Sequence, residues 1–115
     1  ETGIVVGTGN KVEDYGVGFY TKYGDGGVDI APIADLYKSE VWDLGKSLGV
    51  DSRIIEAKPT DGLWDDGRTD EDQLGATYSE LEEAMETGKG TGLKVLQEYG
   101  RMNAHKMNPI PTFTL

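Results

Sequence analysis

Residues 5–29 read VVGTGNKVEDYGVGFYTKYGDGGVD. The apolar run Ile4-Val5-Val6 ends in Gly7-Thr8-Gly9, the signature of a buried strand whose carboxyl end opens into a loop. In α/β sheets that is where ligands sit. Glu13 follows shortly after Thr8, and Lys22-Tyr23-Gly24-Asp25-Gly26-Gly27 follows a second apolar patch over Val17 to Tyr20. A hydroxyl, a carboxylate and a lysine thus recur along glycine-punctuated backbone, a pattern suited to holding a nucleotide.

The whole chain has 115 residues, one domain at most when typical domains run roughly 100–150 residues. Its 37% hydrophobic and 28% charged residues fit a soluble globular protein, and no apolar run approaches the ~20 residues of a membrane span. Without cysteine there is no disulfide framework, thiolate metal site or cysteine nucleophile, and a cytoplasmic location is expected. A net charge of −10 argues against non-specific nucleic-acid binding, which needs clustered Lys and Arg. An anionic small ligand then requires local lysines or a metal ion.

Outward from the opening stretch, Asn10 to Tyr15 reads as a helical turn or loop and Gly16 to Tyr23 as irregular or extended chain. Val28 to Ile33 reads as a second short strand, with Pro32 placing its end at an edge. Asp35 is the expected N-cap of a helix over Leu36 to Leu48, with Gly49 just beyond it. Asp51 caps a short helix that Lys58-Pro59 stops. Thr60 to Asp72, which carries Asp61, Asp65, Asp66, Asp70, Glu71 and Asp72, reads as a mobile acidic loop. Glu71 to Gly75 is expected to make a helical turn, Ser79 to cap Glu80 to Glu86, and Leu93 to about Ala104 to form a last helix ended by Pro109 and Pro111. Two strands are too few to satisfy a parallel sheet, so the missing neighbours are expected upstream of Glu1.

Taken singly, these features have ordinary readings. Gly7-Thr8-Gly9 lacks the third glycine of a dinucleotide fingerprint, since Val12 stands there. Gly24 to Gly27 suits a tight turn. Glu13 is either a solvated carboxylate or a Mg²⁺ ligand sharing the ion with substrate phosphates. Lys22 and Lys38 are either phosphate contacts or lysines lying along apolar surface. The acidic loop lacks the alternation of an EF-hand. His105, the one histidine, has no partners with which to form a metal site or a triad.

Four blocks in order, VGTGNKVED, FYTKYGDGGVDIAPIADLYK, EAKPTDGLWDDGRTDEDQLGATY and HKMNPIP, resemble the carboxyl-terminal portion of the ammonia-dependent NAD synthetases. The resemblance implies an α/β chain, part of an adenine-nucleotide alpha-hydrolase-like (ATP pyrophosphatase) parallel-sheet fold, this segment being mainly helical with two short strands. Residues 1–115 are then the carboxyl-terminal part of one catalytic domain, its upstream half absent. The implied activity is ATP-dependent amidation of deamido-NAD to NAD by ammonia, free or derived from glutamine. By the same resemblance Thr8, Lys38 and Thr60 contact ATP, Glu13 binds Mg²⁺, and Lys22, Asp29, His105 and Lys106 hold deamido-NAD.

The mechanism so implied has two steps. The nicotinate carboxylate attacks the α-phosphate of ATP with release of pyrophosphate, and ammonia then displaces AMP from the acyl-adenylate. Positioning and charge control by Mg²⁺ and lysines carry such chemistry. The Thr60 to Asp72 loop is expected to close over the site. One departure stands out: the family's Ser-Gly-Gly-x-Asp-Ser pyrophosphate-binding loop occurs nowhere in these residues. The isolated chain is therefore expected to be inactive alone, and the family resemblance implies a homodimer. The alternatives are another amidating ligase of the same ATP pyrophosphatase fold, or a non-catalytic acidic module that binds a nucleotide or a protein.

Overall fold

The computed structural model describes residues 2–115. A π-helix spans Val12–Val17, and the α-helices are α1 Lys38–Ser47, α2 Ser52–Ile55, α3 Asp70–Leu74, α4 Tyr78–Thr87, α5 Leu93–Met102 and α6 Ala104–Met107. The chain is mainly helical, as expected. The two short strands are not formed among the described residues: the apolar runs meet in parallel at a single bridge, Val6 opposite Ile30. Gly7 N–H donates to Ile30 C=O at 2.7 Å and Ile30 N–H to Val5 C=O at 3.2 Å, after which Pro32, with no N–H, lies in a turn. Val5 and Val6 are 55% and 53% exposed, so nothing flanks the pair, and two unflanked segments do not sustain a ladder.

The Asn10 to Val17 region is helical where extended chain was expected beyond Gly16. Buried Asn10 sets its start, its Oδ1 accepting the N–H groups of Val12 and Glu13 at 3.0 and 3.2 Å. The other end turns on Gly18 at φ +65°, where a Cβ would lie 2.5 Å from that of Asn103. Asn103 Nδ2 donates to Val17 C=O at 2.8 Å, and Lys106 Nζ to the carbonyls of Gly18 and Tyr20 at 2.8 and 2.7 Å. A cation thus meets the carbonyls at the negative end of the helix.

Three helix boundaries differ from expectation for local reasons. Asp35 does not cap α1, because Leu36 C=O is taken by Lys11 N–H at 2.8 Å and Leu36 stays outside the helix; Asp35 instead pairs with Lys11 at 3.4 Å. The cap is Tyr37, whose N–H donates to Glu40 at 2.8 Å. Ser79 does not cap α4, because Thr77 forms a reciprocal box: its hydroxyl accepts from Glu80 N–H at 3.2 Å and its own N–H donates to Glu80 at 2.9 Å. The last helix breaks at Asn103 and resumes as α6. Asp51 caps α2 as expected, accepting from Arg53 N–H at 2.9 Å.

The core gathers Val12 and Val17 of the π-helix, Leu74 of α3, Ala76, and Tyr78 and Leu81 of α4, with Met85, Val95, Leu96 and Tyr99 packed against it. α5 covers the π-helix and α4 together, and the three form the scaffold of the site.

The carboxylates in the caps of α3 and α4 are held below their ordinary pKa. Donation from the Thr69 backbone N–H, then from its hydroxyl, lowers Asp72; the Thr77 N–H, then the Thr91 and Thr77 hydroxyls, lower Glu80. A carboxylate lowered in the folded state contributes stability above its unfolded pKa and loses it as pH falls through the folded value. Thr77→Ala is therefore expected to lower the melting temperature at neutral pH, and the part of the loss that comes from the hydroxyl donating to the Glu80 carboxylate fades as that group protonates. Thermal melts of both proteins at neutral and acid pH check this; an equal loss at both would exclude it.

Candidate functional site

Thr8, Glu13, Lys38 and Thr60, far apart in sequence, line one cavity of about 260 Å³ together with Phe19, Asp61 and Asp70. Each arrives from a different element. Thr8 follows the Val6 bridge, Glu13 stands in the first turn of the π-helix, Lys38 opens α1, and Thr60 lies in the loop between α2 and α3. Thr60 is fixed there by its hydroxyl, which donates to Arg68 C=O at 3.1 Å and accepts from Gly62 N–H at 3.1 Å.

The centre of this cavity is a largely buried ion pair. Lys38 Nζ donates to Glu13 Oε1 at 2.8 Å, each side chain more than four-fifths buried. The same Glu13 oxygen lies 2.8 Å from the hydroxyl of Tyr78, which lies 3.0 Å from Asp70 Oδ2. Tyr78 is 1% exposed, and Lys38 Nζ sits 5.0 Å from its ring centroid. Burial raises the Tyr78 phenol, and the Glu13 and Asp70 carboxylates raise it further, so it stays protonated. Burial also raises Asp70 above the ordinary carboxylate value, partly offset by the Tyr78 hydroxyl. A phenol has one hydrogen, so it can serve both carboxylates only when one is protonated, which burial favours at Asp70.

The second group of expected residues divides. Lys22 and Lys106 line an adjoining cavity of about 180 Å³ with Asp14, Tyr15, Tyr20 and Asp25. A third, of about 490 Å³, is lined by Phe19, Tyr20, Thr21, Asp25, Asp61, Leu63 and Lys106. Lys22 Nζ donates to His105 C=O at 2.6 Å, so the histidine is tied to the site by its backbone. Asp29 stands apart from these cavities: its carboxylate accepts Val5 N–H at 2.7 Å and clamps the parallel bridge.

Sequence reasoning missed Asp14, Asp25, Asp70 and Tyr78. Asp25 lines all three cavities and is held by Thr21 N–H at 2.7 Å. Burial, then the neighbouring Glu13 carboxylate, raise Asp14. Asp14 lines the Lys22 cavity and Glu13 the Lys38 cavity, so the two adjacent carboxylates face different openings. Chemically, the arrangement joins carboxylates able to share a cation with lysines able to neutralise phosphate, around a space open to a nucleotide.

Among the described residues no helix is long and apolar enough to cross a membrane. Residues 1–110 match the NAD synthase family profile. A protein of Methanococcoides burtonii named NH(3)-dependent NAD(+) synthetase is 54% identical over 83 residues, 72% of this chain and 31% of its own length. One of the same name from Alkaliphilus oremlandii is 46% identical over 112 residues, 95% of this chain and 44% of its own length. Among solved structures, NMN synthetase from Francisella tularensis superimposes with a TM-score of 0.83 at 39% identity, over 97% of this chain and 47% of that one. The NH3-dependent NAD synthetase of Campylobacter jejuni gives 0.64 at 29% identity, over 96% and 45%. The chain spans less than half the length of each of these relatives, and with a profile match over nearly all of its residues it belongs to the NAD synthase family.

Proposed function

We propose that this chain is the carboxyl-terminal portion of an ammonia-dependent NAD synthetase of the ATP pyrophosphatase fold, supplying part of its ATP, Mg²⁺ and deamido-NAD sites. The observation that carries the reading is the convergence of Thr8, Glu13, Lys38 and Thr60 on one cavity. The relatives' names and their greater length support it. An upstream half holding the pyrophosphate-binding loop completes the enzyme, and this chain alone does not adenylate.

In the whole enzyme the deamido-NAD carboxylate attacks the ATP α-phosphate, pyrophosphate leaves, and ammonia displaces AMP to give the amide. Thr8 and Thr60 orient the nucleotide, and Lys38 offsets the charge that gathers when a carboxylate approaches a triphosphate. Lys22 and Lys106 serve the dinucleotide from the neighbouring cavity, with Asp29 and His105 positioning the segments that carry them. The same proposal includes a homodimer and a cytoplasmic location, which the family likeness supports.

Mg²⁺ fits the donors present. Glu13 lines the cavity, and its Oε2 has only a 3.4 Å contact with Asn10 N–H, which leaves that oxygen for the ion. Mg²⁺ takes one or two carboxylates and completes its shell with substrate phosphate and water. Glu13 would hold it. When bound, the ion neutralises the phosphate oxygens of the reacting nucleotide.

The likeness to an NMN synthetase favours a second reading, amidation of nicotinate mononucleotide at the same site. The full-length protein, given ATP, Mg²⁺ and ammonia, is expected to form AMP, pyrophosphate and NAD in equal amounts from deamido-NAD. A preference for nicotinate mononucleotide would move the assignment to the second reading, and AMP formation with neither would exclude both.

A further inference from the structure

We propose that Tyr78, braced by Asp70, is a positioning residue that aims the Glu13 carboxylate at the bound cation; this rests on the reading of Glu13 as the Mg²⁺ ligand. Glu13 Oε1 receives two short contacts, from Lys38 Nζ and from the Tyr78 hydroxyl, both at 2.8 Å. Two donors on one oxygen fix the plane of the carboxylate and leave Oε2 for a ligand. Lys38 alone does not do this, because an ammonium on a flexible stem follows its partner.

Tyr78 itself cannot follow. It is 1% exposed, its ring meets Trp42 edge-on with centroids 6.4 Å apart, and its N–H donates to Glu71 at 3.0 Å. Its hydroxyl is held from the far side by Asp70 Oδ2. Asp70 in turn donates its backbone N–H to Pro59 C=O at 2.9 Å, next to Thr60. One rigid path therefore joins the Thr60 segment, α3, α4 and the Glu13 oxygen, and outer partners of this kind set ligand orientation.

Tyr78→Phe in the full-length enzyme keeps the ring and removes the hydroxyl. Titration with Mn²⁺ in the presence of ATP, followed by electron paramagnetic resonance, is expected to show about a tenfold weaker cation site. The half-saturating Mg²⁺ concentration for AMP formation should rise in parallel, while kcat at saturating Mg²⁺ stays within about threefold. If Tyr78→Phe fails to fold, Asp70→Leu removes the brace instead and should weaken the site in the same direction. Unchanged Mn²⁺ affinity in a folded variant overturns the proposal and leaves the synthetase reading standing. Failure of the unaltered protein to bind Mn²⁺ with ATP overturns the reading of Glu13 itself.

Discussion

Glu13→Gln in the full-length enzyme is expected to lower kcat/KM for amidation by on the order of a hundredfold or more, a loss at least as large as that for residues that only orient a ligand. The same substitution should also destabilise the fold, and the two effects have different causes. Glutamine preserves the shape of the side chain but removes the charge, so Lys38, its side chain 18% exposed, is left without a counter-charge. Removing one partner of a buried pair typically costs about 3–5 kcal/mol, and partial exposure here places the expectation at or below the lower end. Lys38→Met added to Glu13→Gln should recover much of that stability by removing the stranded ammonium. It should recover none of the activity, since neither the cation ligand nor the phosphate-facing lysine returns. Melting temperatures and AMP formation for the two single variants and the double variant decide the matter; recovery of activity in the double variant would mean that Glu13 acts only as the partner of Lys38.

The helices were legible where a local signal and the tertiary structure agree. Asp51 before α2 is such a place; at α4 the expected Ser79 cap was wrong, because the reciprocal bonds of Thr77 with Glu80 start the helix one residue before Tyr78. α1 shows the limit: the Asp35 signal was overridden when the Leu36 carbonyl was claimed by Lys11 N–H across the chain. The strands failed for the complementary reason, that a strand is stabilised by what lies beside it and Val5 and Val6 lie largely open. In the site, Thr8, Glu13, Lys38 and Thr60 could be named together only through the family resemblance; their common cavity comes from packing of the π-helix, α1 and the loop before α3. Tyr78 was invisible because a tyrosine ahead of an amphipathic helix is indistinguishable from core, and its hydroxyl matters only where the fold puts it beside Glu13. Asp70 was read as part of a solvated acidic run, yet it is 6% exposed.

Leu81→Ala should be the most damaging change away from the polar groups, with an expected loss of about 2–5 kcal/mol. Leu81 is fully buried on α4 among Val12, Val17, Leu74 and Tyr78, the place where the π-helix, α3 and α4 meet. Truncation removes its transfer free energy and leaves a cavity that three separate elements would have to move to fill. Against a total stability of ~5–15 kcal/mol such a loss is large. It should also reach the site, because Tyr78 lies one helical turn before Leu81 on the same face, and collapse of α4 into the void would draw the phenol away from Glu13. Leu81→Met, which conserves volume, should cost less than about 1.5 kcal/mol and leave cation affinity as it was. Denaturant melts and Mn²⁺ titrations of the pair test this directly: if Leu81→Ala and Leu81→Met prove equally stable, the packing of α4 against the π-helix does not hold the site together.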